Sequence, residues 1–244
     1  KNQSNRFLIQ ALRSLFCICC CVKKYYSKDE FAKATFYRFG KCSLSLMLLH
    51  LTCQLERRID ALESEMGIIL SQPLTISSRR QAEHIVFQLQ NAWELYIRNF
   101  ILLSSTGLAV DGSAVILPRT IPPEYKSREA ACHYLLTFPN YHYEPKWYKP
   151  LDAIRAARLL RVSNLSKISA AVGSTPWLLD DLRIVRNFFA HRSRSAALSV
   201  RRLPWFASGD MISVETTLMP YVPGGVRRFD VWCITMKSVS RAML

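Results

Sequence analysis

Arg186, Asn187 and His191 are the residues of this chain whose types and spacing best suit chemistry. They stand in Arg186-Asn187-Phe188-Phe189-Ala190-His191, within a segment that reads as an amphipathic helix from near Pro176 to about Ala197. At about 100° per residue, Leu178, Leu182, Val185, Phe188 and Phe189 share one apolar face, with Ile184 at its edge. Arg183, Arg186, Asn187, Ala190, His191 and Arg194 fill the opposite arc. Arginines on an outer face are often merely solvated, and a histidine near a helix C-terminus also complements the helix dipole. The set nevertheless suits a phosphodiester. Cleaving RNA without a metal needs the ribose 2′-hydroxyl deprotonated, the charged phosphorane stabilised and the leaving 5′-oxygen protonated. An imidazole exchanges protons near neutrality, and a guanidinium offers a planar fork to phosphate oxygens. In this reading His191 is general base or acid, Arg186 clamps the scissile phosphate, and Asn187, an i,i+4 neighbour of His191, supports both. Arg183, Arg192 and Arg194 extend the anion-binding surface, each phosphate contact steepening the salt dependence of binding.

The elements that position these residues follow from the hydrophobic pattern. Leu46, Leu49, Leu55, Ile59 and Leu62 recur at threes and fours, predicting a helix from Ser43 to about Leu70 that Pro73 ends. A second helix is predicted from Ser77-Ser78 to about Ser105, with Ile85, Leu89, Ala92, Trp93, Tyr96 and Phe100 on one face and a stop at Thr106-Gly107. Residues 107 to 150 read as an insertion rich in proline and aromatics, holding a short helix over 127–136. Helices over about 151–160 and 166–172 lead to Gly173 and Pro176. Beyond residue 200 the period alternates, and Met211–Leu218 and Val226–Ile234 read as two strands joined through 220–225. The expectation is a mostly α chain in three parts. These are a basic, cysteine- and aromatic-rich N-terminal segment (1–43), a helical domain (44–200) and a β-hairpin appendage (201–244).

Composition narrows the partners. With 33 basic and 18 acidic residues the net charge is +15, which implies an anionic partner: nucleic acid, a membrane surface or an acidic protein. Half of the residues are apolar, enough to bury a core. Four of the eight cysteines crowd between Cys17 and Cys21 with no second pair downstream, so reduced thiols in a cytoplasmic protein are expected and no metal site. The apolar run Phe7 to Val22 carries Gln10 and Arg13 and is too short to span a bilayer. That run, with Lys23-Lys24, leaves a membrane-surface reading as the third alternative. No glycine-rich phosphate loop, Gly-x-Ser-x-Gly elbow or paired metal-binding carboxylates compete, and no cofactor is expected.

Two further places are candidates. Lys146 and Trp147, in Tyr141-His142-Tyr143-Glu144-Pro145-Lys146-Trp147-Tyr148-Lys149, could stack and pair with unpaired bases; the plainer reading is a loop whose rings plug onto the core. Glu94 could hold Arg186 or His191 in place, although an i,i+4 pair with Arg98 explains it as well.

The order Arg-Asn-x-x-x-His after Trp177-Leu178-Leu179-Asp180-Asp181, with the upstream Ala92-Trp93-Glu94-Leu95-Tyr96-Ile97-Arg98-Asn99-Phe100, resembles the HEPN superfamily over roughly residues 44–200. That resemblance implies an antiparallel helical bundle and an Arg-x4-His endoribonuclease. It also implies a composite cleft in which two domains each supply one Arg/His pair, hence a homodimer or pairing with another HEPN chain. Products would be a 2′,3′-cyclic phosphate and a 5′-hydroxyl. The implied setting is a toxin or effector of bacterial antiphage defence or a toxin–antitoxin system, with an antitoxin or regulatory protein as a further partner. The competing expectation is a non-catalytic RNA- or protein-binding subunit used for dimerisation.

Overall fold

The computed structural model describes residues 47–113, 115–139, 141–174, 176–207, 209–218, 221–222 and 226–244, and these are mostly helical. The 1–43 segment, with its cysteine cluster and Phe7–Val22 run, lies outside the described residues, as do the side chains of Trp177 and Leu178. Helix α1 (Met47–Leu70) and helix α2 (Ile76–Ser104) form an antiparallel pair. Thr52 lies against Tyr96 (3.1 Å) while Arg58 donates to Gln88, so positions rise along one helix as they fall along the other. Thr75 starts α2 with a reciprocal cap. Its backbone N–H donates to Ser78 Oγ (2.7 Å), and the Ser78 N–H donates to Thr75 Oγ1 (3.1 Å).

At 29 residues α2 is about 44 Å long and is the axis of the fold. Ala82, Ile85, Val86, Leu89, Trp93, Tyr96, Ile97 and Phe100 are buried along it, and its last turn, Ile101–Ser104, is buried on every side. Around it lie α3 (Arg128–Leu136), α4 (Pro150–Leu159), α5 (Leu165–Gly173), α6 (Pro176–His191), α7 (Arg194–Arg201) and the short α8 (Val214–Leu218). Ser127 caps α3, and Pro150 occupies the first turn of α4, where a missing N–H costs nothing. Gly107 has a positive φ of 73°, and a Cβ there would stand 2.7 Å from the Cβ of Arg119, so glycine is required where the chain leaves α2.

The C-terminal region differs from expectation. Val226 to Ile234 does not form a strand. A ladder of two residues per strand, β1 (Tyr221–Val222) with β2 (Val226–Arg227), gives way at once to helix α9 (Arg228–Ala242). The alternation in 226–234 is the opening of a longer helical stripe: Phe229, Trp232, Cys233, Met236 and Val239 are all buried. Asp230 supports the first turn, accepting from Arg227 (2.8 Å). Likewise Met211–Leu218 is not a strand. The Ser213 N–H donates to Thr216 Oγ1 (2.9 Å) and the Thr216 N–H to Ser213 Oγ (3.3 Å), a reciprocal cap that starts α8 and overrides the β-branched composition. Nor is the region an appendage. Leu203, Phe206, Ile212, Leu218, Phe229 and Trp232 belong to the same buried cluster as α1 and α2. Lys237 pairs with Asp60 (2.7 Å) and Glu63, and Arg241 with Glu56, which bind α9 antiparallel to α1.

Burial pushes the Cys132 thiol up to about 11 and the Cys233 thiol well above its ordinary range, so both stay protonated at neutral pH. Among the described residues no helix is long and apolar enough to cross a membrane.

Candidate active site

Helix α6 carries the site on the face it turns from the core. Leu182, Val185, Phe188 and Phe189 are buried and Ile184 is half-buried, as the periodicity predicts. Arg183, Arg186 and Asn187 are half-buried, whereas Ala190 and His191 are exposed. The segment is not one helix to Ala197. It stops at His191, because Arg192 takes a left-handed conformation (φ 48°) and its N–H closes back on the Phe188 carbonyl at 2.8 Å. That is the usual C-terminal stop made with an arginine in the place glycine commonly takes. Ser193 then caps α7 through the Ala196 N–H (3.2 Å). Arg194 is therefore the first residue of another helix, exposed, and off the arc expected for it.

What holds Arg192 in that conformation is tertiary. It is ion-paired with Glu83 of α2, and its guanidinium lies 5.4 Å and 5.8 Å from the Phe188 and Phe189 ring centroids. The strained residue thus follows the imidazole directly and is fastened to the central helix.

Arg186 is seated differently. Its guanidinium carbon lies 5.2 Å from the centre of the Phe87 ring of α2. Nη1 donates to Asn187 Oδ1 at 3.3 Å, whereas Nε is buried without a partner among the described residues. A buried donor left unmet costs about 1–3 kcal/mol, which an incoming anionic oxygen could recover. Asn187 therefore engages the arginine; the expected contact with His191 is not made among the described residues, and no hydrogen bond or ion pair there reaches the ring.

The outlying candidates divide. Arg183 is paired with Asp180 (2.8 Å) and sits 5.9 Å from the Tyr148 ring centre, bringing the loop after Pro145 alongside α6. Lys146 is exposed, but Trp147 is a core residue at 6 % exposure, and its indole N–H donates to Glu144 Oε2 (3.0 Å). It cannot stack on a base without leaving the core, so its expected RNA contact is withdrawn. Glu94 accepts from Gln90 (2.6 Å). Among the described residues it pairs with neither Arg98, Arg186 nor His191, so the supporting role expected of it is not seen. Arg98 reaches instead to Glu144, donating from Nε at 2.8 Å and from Nη2 at 3.1 Å.

The neighbours that sequence reading missed are Phe87 and Glu83. They are an i,i+4 pair on α2, a spacing that marks one face but not which helix will lie across it. Asp181, within the acidic turn before the motif, is buried and accepts from the Trp205 indole at 2.7 Å. Burial pushes its carboxyl up against that hydrogen bond and the charge of Arg228.

The Arg98–Glu144 pair sets a pH dependence. Hydrogen bonding from Arg98 outweighs partial burial and, with the Trp147 bond, lowers the Glu144 carboxyl to about 2. A depressed carboxylate contributes stability above its unfolded value near about 4.3, and that contribution is lost as pH falls toward 2. Glu144→Gln should flatten the melting temperature between about pH 5 and pH 2 relative to the parent chain. The change should be a few degrees at most, because the pair is partly solvent-screened. Equal acid-side slopes in the two proteins would remove Glu144 from the account.

Among the described residues no three His, Cys, Asp or Glu side chains are grouped to hold a metal ion. What α6 offers is an accessible imidazole, an amide one turn earlier and a guanidinium backed by an aromatic ring, a set that can bind a phosphate and exchange one proton. No family model matches the chain, and no match was found among curated proteins or solved structures.

Proposed function

We propose that the chain is a metal-independent endoribonuclease of HEPN type, acting on RNA through Arg186, Asn187 and His191. The observation that carries this reading is an exposed imidazole at the end of a helix whose outward arc also holds a half-buried guanidinium, its Nε without a partner among the described residues. Arg186, backed by Phe87, binds the scissile phosphate; His191 moves the proton; Asn187 fixes the arginine. One chain supplies one such imidazole, and transesterification needs both a base and an acid. The functional unit is therefore a pair of α6 helices from two copies, or from this chain and another HEPN chain. As the resemblance implies, the setting is a cytoplasmic effector of bacterial defence or of a toxin–antitoxin system.

A folded dimer incubated with mixed RNA in EDTA should cleave it, and Arg186→Met, which keeps the packing on Phe87, should slow cleavage at least 100-fold. No cleavage of any RNA by the folded dimer would overturn the reading. The second reading, a non-catalytic RNA- or protein-binding subunit, is favoured by one observation: Arg183 and Arg192 are already paired with Asp180 and Glu83. In that case Arg186→Met would weaken binding modestly and no product would form.

A further inference from the structure

Beside Arg192 lies a groove of about 400 Å³ between the start of α2 and the 211–215 segment. Two large apolar side chains flank it in solvent, Ile76 at 70 % and Met211 at 78 % exposure, over buried Ile212 and Val214. Its rim carries three arginines. Arg79 donates to Glu215 (2.8 Å) and Arg192 is paired with Glu83, so both guanidiniums are held in place. Arg80 is exposed and has no carboxylate partner among the described residues, and the first turn of α2 holds no acidic residue.

We infer that this groove is a subsite for one nucleotide of the RNA, flanking the linkage at His191. The inference takes its ligand from the ribonuclease reading but stands on separate residues. A nucleobase is flat, apolar on its faces and polar at its edge. Ile76 and Met211 suit the faces, thioethers packing well on aromatic rings, and arginines beside them stack on bases. Glu83 and Glu215 offer acceptors to exocyclic amino groups, and Arg80 supplies the uncompensated charge for a phosphate. The volume lies near the lower end of small-ligand sites. It suits one nucleotide better than a folded partner, which needs on the order of 800 Å² of contact. The groove adjoins the site in the chain, since Arg192, the residue after His191, lines it.

The test is methyl NMR of the full chain with labelled methionines, the Met211 signal being assigned with Met211→Leu. The probes are a 2′-O-methyl tetranucleotide that cannot be cleaved, adenosine 5′-monophosphate and inorganic phosphate. The tetranucleotide should move the Met211 methyl resonance, the mononucleotide should do so more weakly, and phosphate should leave it in place. Arg80→Ala should raise the tetranucleotide midpoint at least tenfold. A Met211 signal unmoved by the tetranucleotide, moved equally by phosphate, moved by the mononucleotide alone, or indifferent to Arg80→Ala would overturn the subsite. A chain that cleaves no RNA yet shows the Arg80-dependent shift keeps the subsite and loses the ribonuclease reading.

Discussion

His191→Ala should lower RNA cleavage by about 10²–10⁴-fold while leaving the fold intact. The two halves of that expectation have separate physical causes. The ring is exposed at the last residue of α6, and among the described residues nothing bonds to it. Its removal therefore leaves no cavity and no stranded partner. Surface changes of this kind fall within about ±0.5 kcal/mol, with up to about 1 kcal/mol more where a charged ring had complemented the helix dipole. The loss of rate comes from the proton transfer, which no other side chain on this face of α6 is placed to take over. Initial rates on a labelled RNA, with urea unfolding of the same preparation, separate the two. An unchanged rate would remove His191 from the chemistry, and a collapsed unfolding midpoint would make it a structural residue.

Trp232→Ala should destabilise the chain by about 3–5 kcal/mol. Trp232 is fully buried and is the largest such side chain among the described residues of the core. Few neighbours can close a void of that size in a helix fastened by Lys237 and Arg241. With a urea slope of about 2 kcal/mol/M, the midpoint should fall by roughly 1.5–2.5 M. The companion change sharpens the argument. The Trp232 indole N–H is buried without an acceptor among the described residues. Trp232→Phe keeps most of the ring and removes the unmet donor, whose burial costs about 1–3 kcal/mol. The two effects oppose, so Trp232→Phe should stay within about 1.5 kcal/mol of the parent. Equal, small shifts for both substitutions would mean that α9 lies on the surface as an accessory and not in the core.

That second expectation concerns the region where the sequence was hardest to read. The long helices were legible because each has one apolar stripe: the pattern predicts 43–70 and 77–105, and the structure places α1 at Met47–Leu70 and α2 at Ile76–Ser104. In 226–234 the local signal conflicts. Val226, Val231 and Ile234 favour a strand and the window alternates, yet the stripe from Phe229 to Val239 becomes visible when the helix is followed to its end. Burial of Phe229 and Trp232 decides the outcome, as tertiary packing commonly overrides β-propensity. The break after His191 was hidden for another reason. No glycine or proline marks it, and the left-handed Arg192 is sustained by Glu83, 109 residues away in sequence.

The site was legible to the same extent. That Arg186, Asn187 and His191 share the outward arc of α6 follows from spacing, and their half-buried or exposed positions agree. That Phe87 backs the arginine and Asn187 faces it, not the imidazole, depends on how α6 crosses α2. Trp147 shows the converse limit. An aromatic among lysines reads equally as a stacking platform or as a plug, and the difference is whether Glu144 is there to accept its indole proton.

The most direct test of the ribonuclease reading is the chemistry of the RNA ends left by the full chain in EDTA, read by mass spectrometry. A base and an acid acting across one phosphate must leave a 2′,3′-cyclic phosphate, or its 3′-phosphate hydrolysis product, facing a 5′-hydroxyl, and both must vanish with His191→Ala. Ends bearing a 3′-hydroxyl and a 5′-phosphate, or cyclic ends formed equally well by the His191→Ala chain, would contradict it.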